Sequence, residues 1–347
     1  MNFIFIKIAI LATLFCACNT KTSVGTPIKS DSTGIKSKMK GLNFVAPPQP
    51  FADNPMKPVK NLGANWIAVI PYGFTMPEKP LVVYNSNEWQ WWGERPAGVR
   101  ATIETAHAEG LHVMLKPQIY VPGSWTGGLD FATAADWDSW EQSYEAYLLP
   151  FARLADSLDV EILCVGTEFK IGARKREVFW RSLIKKVRNI YKGTLTYSAN
   201  WDEYQEVPFW DALDAIGVSA YFPLIDHKTP LEETLQSAWQ PYVVQLKTLS
   251  EQRKKPILFT EYGYMSVDGC AGKIWEVEQV ATTLPINEAA QSNALAAMWA
   301  VFGAQPWWAG GFLWKWFPNM QGHEGYPERD YTPQGKAAER RLQQIWH

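Results

Sequence analysis

The sequence predicts a single (β/α)₈ barrel, an α/β fold, and three observations support this prediction. Short β-rich runs alternate with amphipathic helical stretches eight times from Met39 onward. Several of these runs are continuously apolar, as strands buried on both faces of a parallel sheet are. No G-x-G-x-x-G or G-x-x-x-x-G-K-[ST] pattern follows a strand, which argues against the alternative, a doubly wound nucleotide-binding sheet. Residues 39–347 therefore form one barrel domain with some long loops.

Eight strands and six helices follow from this alternation. The predicted strands are Gly41–Ala46, Trp66–Pro71, His112–Lys116, Val160–Gly166, Thr194–Ala199, Ala215–Ala220, Pro256–Thr260 and Gly310–Trp314. The predicted helices are Ala97–Glu109, Trp137–Ser157, Glu177–Tyr191, Leu231–Gln252, Asn287–Phe302 and Gly335–Ile345. The fifth unit is the weakest, because only a short helical stretch around Phe209–Ala212 follows its strand.

Composition excludes several classes of protein. The chain has 347 residues with 33 Lys and Arg against 35 Asp and Glu, and a nucleic-acid binder should carry a basic face instead. Its 18 Trp are several-fold above ordinary usage, which fits either a ligand with flat faces, such as a sugar, or a thick core. Four Cys are too few for a disulfide scaffold. We expect Cys164 to be a buried thiol and Cys270 an exposed one.

The N-terminus has the pattern of an export signal. Residues 1–17 carry one Lys and then an apolar run too short for a permanent membrane span. Cys18 follows the small Ala17, which resembles a bacterial lipoprotein signal in which this Cys becomes the lipidated N-terminus. The alternative is a plain secretory peptide cleaved nearby. Residues 18–38 have the composition of a flexible tether, so we expect an exported protein that is lipid-anchored to a bacterial membrane.

Polar and aromatic residues stand at the carboxyl ends of the predicted strands, where a (β/α)₈ barrel carries its chemistry. In chain order they are Asn43, Tyr72, Lys116 with Gln118, Glu168, Asn200 with Trp201, Tyr221, Glu261, and Trp314 with Trp316. Further aromatic residues that could bind sugars lie in the loops, at Trp89, Trp91, Trp92, Trp125, Trp307 and Trp308. The pattern predicts a cleft at this end of the barrel.

Two of these residues are carboxylic acids at the ends of the fourth and seventh strands. Glu168 is the last residue of VEILCVGTE, and Glu261 is the last residue of PILFTE. A charged group at the end of a buried strand requires either a partner that offsets its burial or a functional role. Strands four and seven of a closed barrel face each other across its mouth. Hydrolysis of a glycosidic bond uses such a pair, because one carboxyl protonates the leaving oxygen while the other attacks the anomeric carbon or activates water.

The motifs GLNF, MLKPQIY, GTEF, SANWDEY, SAYFPL, FTEYGY and GGFLWKW resemble glycoside hydrolase family 113, the β-1,4-mannanase family of clan A. The resemblance implies that Glu168 is the general acid/base and Glu261 the nucleophile. It also implies that Lys116, Tyr221 and Trp314 surround the sugar that is attacked. Thr167 departs from the Asn that many clan A relatives have at this position, which leaves the contact to the sugar 2-hydroxyl unassigned.

We further expect Asn200, Trp201 and Trp316 to bind substrate, and Tyr221 to donate a hydrogen bond to Glu261. The proposed chemistry requires no cofactor and no metal, and His107 and His112 lack the spacing of a zinc motif. We expect a monomer. Two alternatives stay open: a glycosidase for another β-glycan, such as a glucan or glucomannan, and a surface glycan-binding lipoprotein without turnover.

Overall fold

The computed structural model describes residues 38–85, 89–319 and 326–347. The predicted signal peptide, its lipidation site at Cys18 and the tether up to residue 37 lie outside the described residues. Within the described ranges, no helix has both the length and the apolar character that crossing a membrane requires.

Eight parallel strands close into a barrel, which confirms the predicted fold class. The barrel strands are β1 (Met39–Phe44), β2 (Trp66–Val69), β4 (His112–Leu115), β6 (Ile162–Thr167), β7 (Thr194–Asn200), β8 (Ile216–Ser219), β9 (Ile257–Tyr262) and β10 (Trp308–Trp316). Two short strands outside the barrel, β3 (Tyr72–Phe74) and β5 (Gln118–Tyr120), pair with each other in parallel. The sequence analysis did not predict this second sheet.

Helices surround the barrel, and all six predicted helices are present with ends shifted by three residues or fewer. They are α2 (Pro96–Ala108), α3 (Ala134–Ser157), α5 (Glu177–Ile190), α6 (Glu232–Arg253), α8 (Glu288–Phe302) and α9 (Ala337–Trp346). Three short helices were not predicted: α1 (Met56–Asn61), α4 (Lys170–Lys175) and α7 (Ile274–Val280). The weak fifth unit has only a 3₁₀ turn at Trp210–Ala212, as its sequence indicated.

Local signals explain where the main helices begin and end. Helix α2 begins at Pro96, whose fixed φ suits a first helical position, and Gly110 with φ of 73° follows its end. The side chains of Thr133 and Asn287 cap α3 and α8 by accepting backbone N–H bonds from Asp136 and Ala290. These caps satisfy N–H groups that have no partner within the helix.

The core has two layers. A small cluster fills the barrel interior and contains Met39, Trp66, Ala68, Ile70, Met114, Ile162, Leu258 and Phe312. A much larger cluster lies between the strands and the surrounding helices, and most of the helix-borne aromatic residues pack there. Cys164 and Cys270 are both free and buried, so the expectation that Cys270 is exposed was wrong.

The loops at the two ends of the barrel differ in length. At the amino ends of the strands, three residues join α2 to β4 and three join α6 to β9. At the carboxyl ends, 26 residues separate β2 from α2 and 18 separate β4 from α3. The long loops build walls around the carboxyl ends of the strands, which is where the predicted site residues lie.

Candidate active site

Glu168 and Glu261 lie at the same end of the barrel. Glu168 directly follows β6 and Glu261 is near the end of β9, and these are the fourth and seventh barrel strands in chain order. The register between the intervening strands pairs Thr167 with Ser198 and Ser219 with Glu261. The parallel register therefore carries both carboxyl groups to the mouth, as the sequence predicted.

Glu261 is buried and has a partner on each carboxyl oxygen. The ammonium group of Lys116, which is 0 % exposed, forms an ion pair with Oε1. The phenol of Tyr221 donates a hydrogen bond of 2.9 Å to Oε2. Burial and the charge of Glu261 raise the pKa of Tyr221 well above its ordinary value, so the phenol keeps its proton. A cation and a phenol donor therefore fix the position of the Glu261 carboxyl group.

Glu168 has different surroundings. It is partly exposed in the mouth, and the indole Nε1–H of Trp125 donates a hydrogen bond of 2.7 Å to its Oε2. Burial and then the negative charge of Glu261 raise the pKa of Glu168 to about 7, against the lowering effect of the Trp125 bond. A large fraction of Glu168 is therefore protonated at neutral pH.

The two carboxyl groups consequently have different surroundings: Glu261 is paired with a cation, and Glu168 has a raised pKa. An ionised carboxylate can attack an anomeric carbon, and a neutral carboxyl group can give its proton to the leaving oxygen. Pairs of titratable groups whose environments separate their pKa values indicate acid and base assignments. This difference between Glu168 and Glu261 is the main chemical feature of the site.

Trp314, at the end of β10, forms the floor beside the carboxylates. The ammonium group of Lys116 lies 5.3 Å from the centroid of its ring, within cation–π distance. A cavity of about 410 Å³ extends from Trp314 over the first strands of the barrel. Its lining comprises Asn43, Phe44, Val45, Ala46, Ile70, Tyr72, Phe74, Trp91, Glu94, Tyr120, Trp314 and Lys315. Aromatic walls with a few polar groups are the composition of a carbohydrate-sized pocket.

Of the other residues predicted to bind substrate, the structure places two at the carboxyl end of the barrel and one in the core. Asn200 and Trp201 lie at the carboxyl end of β7, and Asn200 Oδ1 accepts the backbone N–H of Trp201 at 2.8 Å. Trp201 stacks in parallel on Trp275, with ring centroids 5.4 Å apart and planes 4° from parallel. Trp316, by contrast, is 1 % exposed and packs in the core between strands and helices, so the structure does not bring it into the cleft.

The loop aromatic residues also separate into two groups. Trp89 and Trp125 are 50 % and 40 % exposed at the carboxyl end of the barrel, and Trp91 lines the cavity. Trp92 packs edge-on against Phe51, while Trp307 and Trp308 pack in the core. Most of the surplus tryptophan therefore serves packing, and a smaller part faces the cleft.

The sequence analysis assigned no role at the site to Trp275 or Glu203, and it did not foresee the contact of Trp125 with Glu168. Trp275 lies on α7, far along the chain from Trp201, and no spacing rule connects the two. Glu203 is 2 % exposed and lies in the turn after β7. Only its position in NWDEY, directly after a strand end, could have drawn attention to it.

An eight-stranded barrel with a carboxyl group of raised pKa at the end of its fourth strand and a lysine-paired carboxyl group at the end of its seventh has the equipment of a glycoside hydrolase. The model of Glycoside Hydrolase Family 113 matches residues 48–336, and the chain belongs to this family. No curated protein sequence matches the chain.

Solved structures of the same family are similar over nearly their whole length. The β-mannanase AaManA from Alicyclobacillus acidocaldarius, solved in complex with ManMIm, is 27 % identical with a TM-score of 0.76, and the match covers 90 % of this chain and 98 % of that one. A second family 113 β-1,4-mannanase is 24 % identical with a TM-score of 0.75, over 90 % and 99 % of the two chains. A β-glucuronidase from Ruminococcus gnavus shares only the fold, at 14 % identity, a TM-score of 0.60 and coverage of 90 % and 50 %.

Proposed function

We propose that this protein is a retaining glycoside hydrolase that cleaves β-1,4-linked mannan, with Glu261 as nucleophile and Glu168 as general acid/base. The observation that carries the proposal is the opposite environment of the two carboxyl groups. Glu261 has Lys116 and Tyr221 on its oxygens, whereas Glu168 has a pKa raised to about 7.

In the first step Glu261 Oε attacks the anomeric carbon of the sugar. The bond from that carbon to the glycosidic oxygen breaks, and Glu168 gives its proton to the departing oxygen. The products are a glycosyl ester on Glu261, an ionised Glu168 and a released chain with a new hydroxyl group. Lys116 and Tyr221 orient the attacking carboxylate throughout this step.

In the second step water replaces the released chain. Glu168 takes a proton from the water, the water oxygen attacks the anomeric carbon, and the ester bond to Glu261 breaks. The product sugar keeps the original anomeric configuration because two inversions have occurred. Both enzyme carboxyl groups return to their starting states.

The β-1,4-mannan assignment rests on family membership and on the two similar β-mannanases. Trp314 supports it as a flat floor for the reacting sugar, and Asn200 and Trp201 are proposed to contact the sugars that bind alongside. A glucan or glucomannan is the competing substrate. A binding protein without turnover is the competing class, and a binder does not require two carboxyl groups held in such different surroundings.

A product profile tests this proposal. The purified protein is incubated with β-mannan, glucomannan and cello-oligosaccharides, and the released sugars are separated while NMR follows the anomer first formed. We expect products from mannan and the β-anomer as the first product. Faster turnover of cello-oligosaccharides would move the assignment to glucan, and an α-anomer would contradict retention.

We also propose that the protein is exported, lipidated at Cys18 and anchored to a membrane, which rests on the N-terminal sequence alone. We propose in addition that it is a monomer. Labelling of cells with a radioactive or clickable fatty acid should mark the wild-type chain and not Cys18→Ser. A soluble, unlabelled wild-type chain would favour a plain secretory peptide. Light scattering of residues 39–347 tests the monomer.

A further inference from the structure

A third carboxyl group lies directly behind the proposed acid/base. Glu203, in the turn that follows β7, is 2 % exposed, and its backbone N–H donates to the Asn200 carbonyl at 3.0 Å. Within the described residues, its Oε2 is buried and has no hydrogen-bond partner, and Glu203 takes part in no ion pair that the structure shows. A buried carboxyl group without a cation destabilises the fold. Its presence here indicates a role other than stability.

A chain of hydrogen bonds connects Glu203 to the backbone at Glu168. The backbone N–H of Phe169 donates to the Tyr197 hydroxyl oxygen at 2.7 Å, and that hydroxyl donates to Glu203 Oε1 at 3.0 Å. Tyr197 is fully buried, so neither bond competes with water. The chain therefore ends on the peptide group that joins Phe169 to Glu168.

That peptide group belongs to an unusual stretch of backbone. Glu168 has φ of 57°, in the left-handed region that residues other than glycine seldom adopt. Its own N–H donates to the Ser198 carbonyl at 2.8 Å, and its carbonyl accepts from Lys170 at 2.9 Å. A residue held in this region persists only where its surroundings over-determine it, and such residues concentrate at active sites.

The two carboxyl groups also interact through their charges. Burial, followed by the charge of Glu168, raises the pKa of Glu203 to about 8, and Asp202 contributes in the same direction. Glu168 in turn faces Glu261 and Lys116. Asp202 is itself paired with Lys170. Because the pKa of Glu203 lies above that of Glu168, Glu203 is still largely neutral where Glu168 loses its proton, and the charge of Glu203 does not set the state of Glu168.

We propose that Glu203 is a positioning residue for Glu168: through Tyr197 it holds the N–H that fixes the left-handed backbone at the acid/base. This inference rests on the proposed function. It goes beyond the two reacting carboxyl groups, because it assigns a part in proton transfer to a group that touches neither substrate nor reacting atoms.

The first test removes the Tyr197 hydroxyl with Tyr197→Phe and uses Tyr191→Phe as the matched control. The Tyr191 hydroxyl is also buried and donates to a carbonyl, that of Val160, at the opposite end of the barrel. Tyr197→Phe loses two buried hydrogen bonds, with Glu203 and with the Phe169 N–H, whereas Tyr191→Phe loses one, so the melting temperature of Tyr197→Phe should fall further. On mannan, we expect kcat of Tyr197→Phe to fall about tenfold or more with little change in KM, while Tyr191→Phe retains wild-type kcat. Equal kcat in the two variants would overturn the inference.

The second test separates proton donation from a general loss of structure. The dinitrophenyl group of a dinitrophenyl β-mannobioside departs as a stable anion without being protonated. The methylumbelliferyl group of a methylumbelliferyl β-mannobioside departs faster when an acid protonates it. For Tyr197→Phe, kcat/KM should fall severalfold more on the methylumbelliferyl substrate, since kcat/KM reports the first bond cleavage. An equal loss on both substrates contradicts the positioning of an acid. Absence of wild-type activity on both, and on mannan, would instead reject the proposed function.

The third test compares Glu203→Gln, which keeps an acceptor oxygen for the Tyr197 hydroxyl, with Glu203→Leu, which removes it. We expect Glu203→Leu to lower kcat on mannan about tenfold with little change in KM, and Glu203→Gln to restore most of that loss. Equal kcat in the two variants would overturn the role of Glu203.

Discussion

Lys116 and Glu261 lie 145 positions apart in the chain and form an ion pair inside the barrel mouth, where both side chains are closed off from solvent. The same ammonium group lies over the ring of Trp314. Lys116 therefore connects the proposed nucleophile to the floor of the cleft, and it accounts for the presence of a charged carboxylate at the end of a buried strand.

Replacement of Lys116 by methionine should damage both stability and activity. The substitution keeps most of the side-chain volume but leaves the Glu261 carboxylate buried without its cation, which destabilises proteins by about 3 kcal/mol. We expect kcat on mannan to fall about 100-fold, because the attacking carboxylate loses its partner. Urea unfolding and steady-state kinetics measure the two effects. Lys60→Met, which removes an exposed lysine 3.9 Å from Glu109, is the control and should cost about 0.5 kcal/mol or less.

Removal of either carboxyl group should abolish mannan hydrolysis while the fold persists. We expect Glu168→Gln and Glu261→Gln each to lower the release of reducing sugar by about 10³-fold or more, since each role has no substitute. Azide should rescue Glu261→Gly on a dinitrophenyl substrate and yield the α-glycosyl azide. Full activity in either Gln variant, or a β-azide from Glu261→Gly, would contradict the assignment of roles.

The alkaline limb of the pH profile should report Glu168. Its pKa of about 7 means that the proton donor is present below pH 7 and is lost above it. We therefore expect kcat/KM to fall about tenfold per pH unit above pH 7. Trp125→Phe removes the N–H that favours the ionised form, so the limb should move to higher pH. Trp89→Phe, whose indole contacts Phe74 instead, should leave the limb unchanged.

The same raised pKa predicts a pH-dependent stability difference for Glu168→Gln. The unfolded carboxyl group ionises near 4.5 and the folded one near 7, so the folded state is penalised as pH rises through this window. At pH 4 the carboxyl group is largely neutral in both states, and the variant should match the wild type. At pH 8 the variant should be more stable by about 3 kcal/mol. Thermal unfolding at both pH values measures this, with Glu104→Gln on the exposed surface of α2 as a control that should show no such trend.

The fold was predictable because its signals are local. Apolar strand runs, helical periodicity and helix-terminating residues such as Gly110 each depend on a few neighbouring residues. The alternation of strand and helix that they produce repeats eight times. The short parallel pair β3 and β5 escaped prediction, because three-residue strands inside long loops produce no periodic signal. The predicted strand ends gave the positions of Glu168 and Glu261 for the same local reason.

The site was predictable only in part, and Trp314 and Trp316 illustrate why. Both lie near the end of the same strand, β10, and have the same residue type, yet one lies beside the cleft and the other is buried in the core. Burial depends on what packs against each ring, and those partners come from distant parts of the chain. The contact of Trp125 with Glu168 spans 43 positions and depends on the path of an 18-residue loop.

The sequence by itself determined the barrel, the placement of two carboxylic acids at strand ends four and seven, and the residue types around them. Those features depend on the order of residues along the chain and on strand and helix periodicity. Only the tertiary structure decided which carboxyl group pairs with Lys116 and Tyr221, which one has a raised pKa, and that Glu203 is linked to it through Tyr197. Protonation states depend on burial and on neighbouring charges, and both arise only when distant segments of the chain meet.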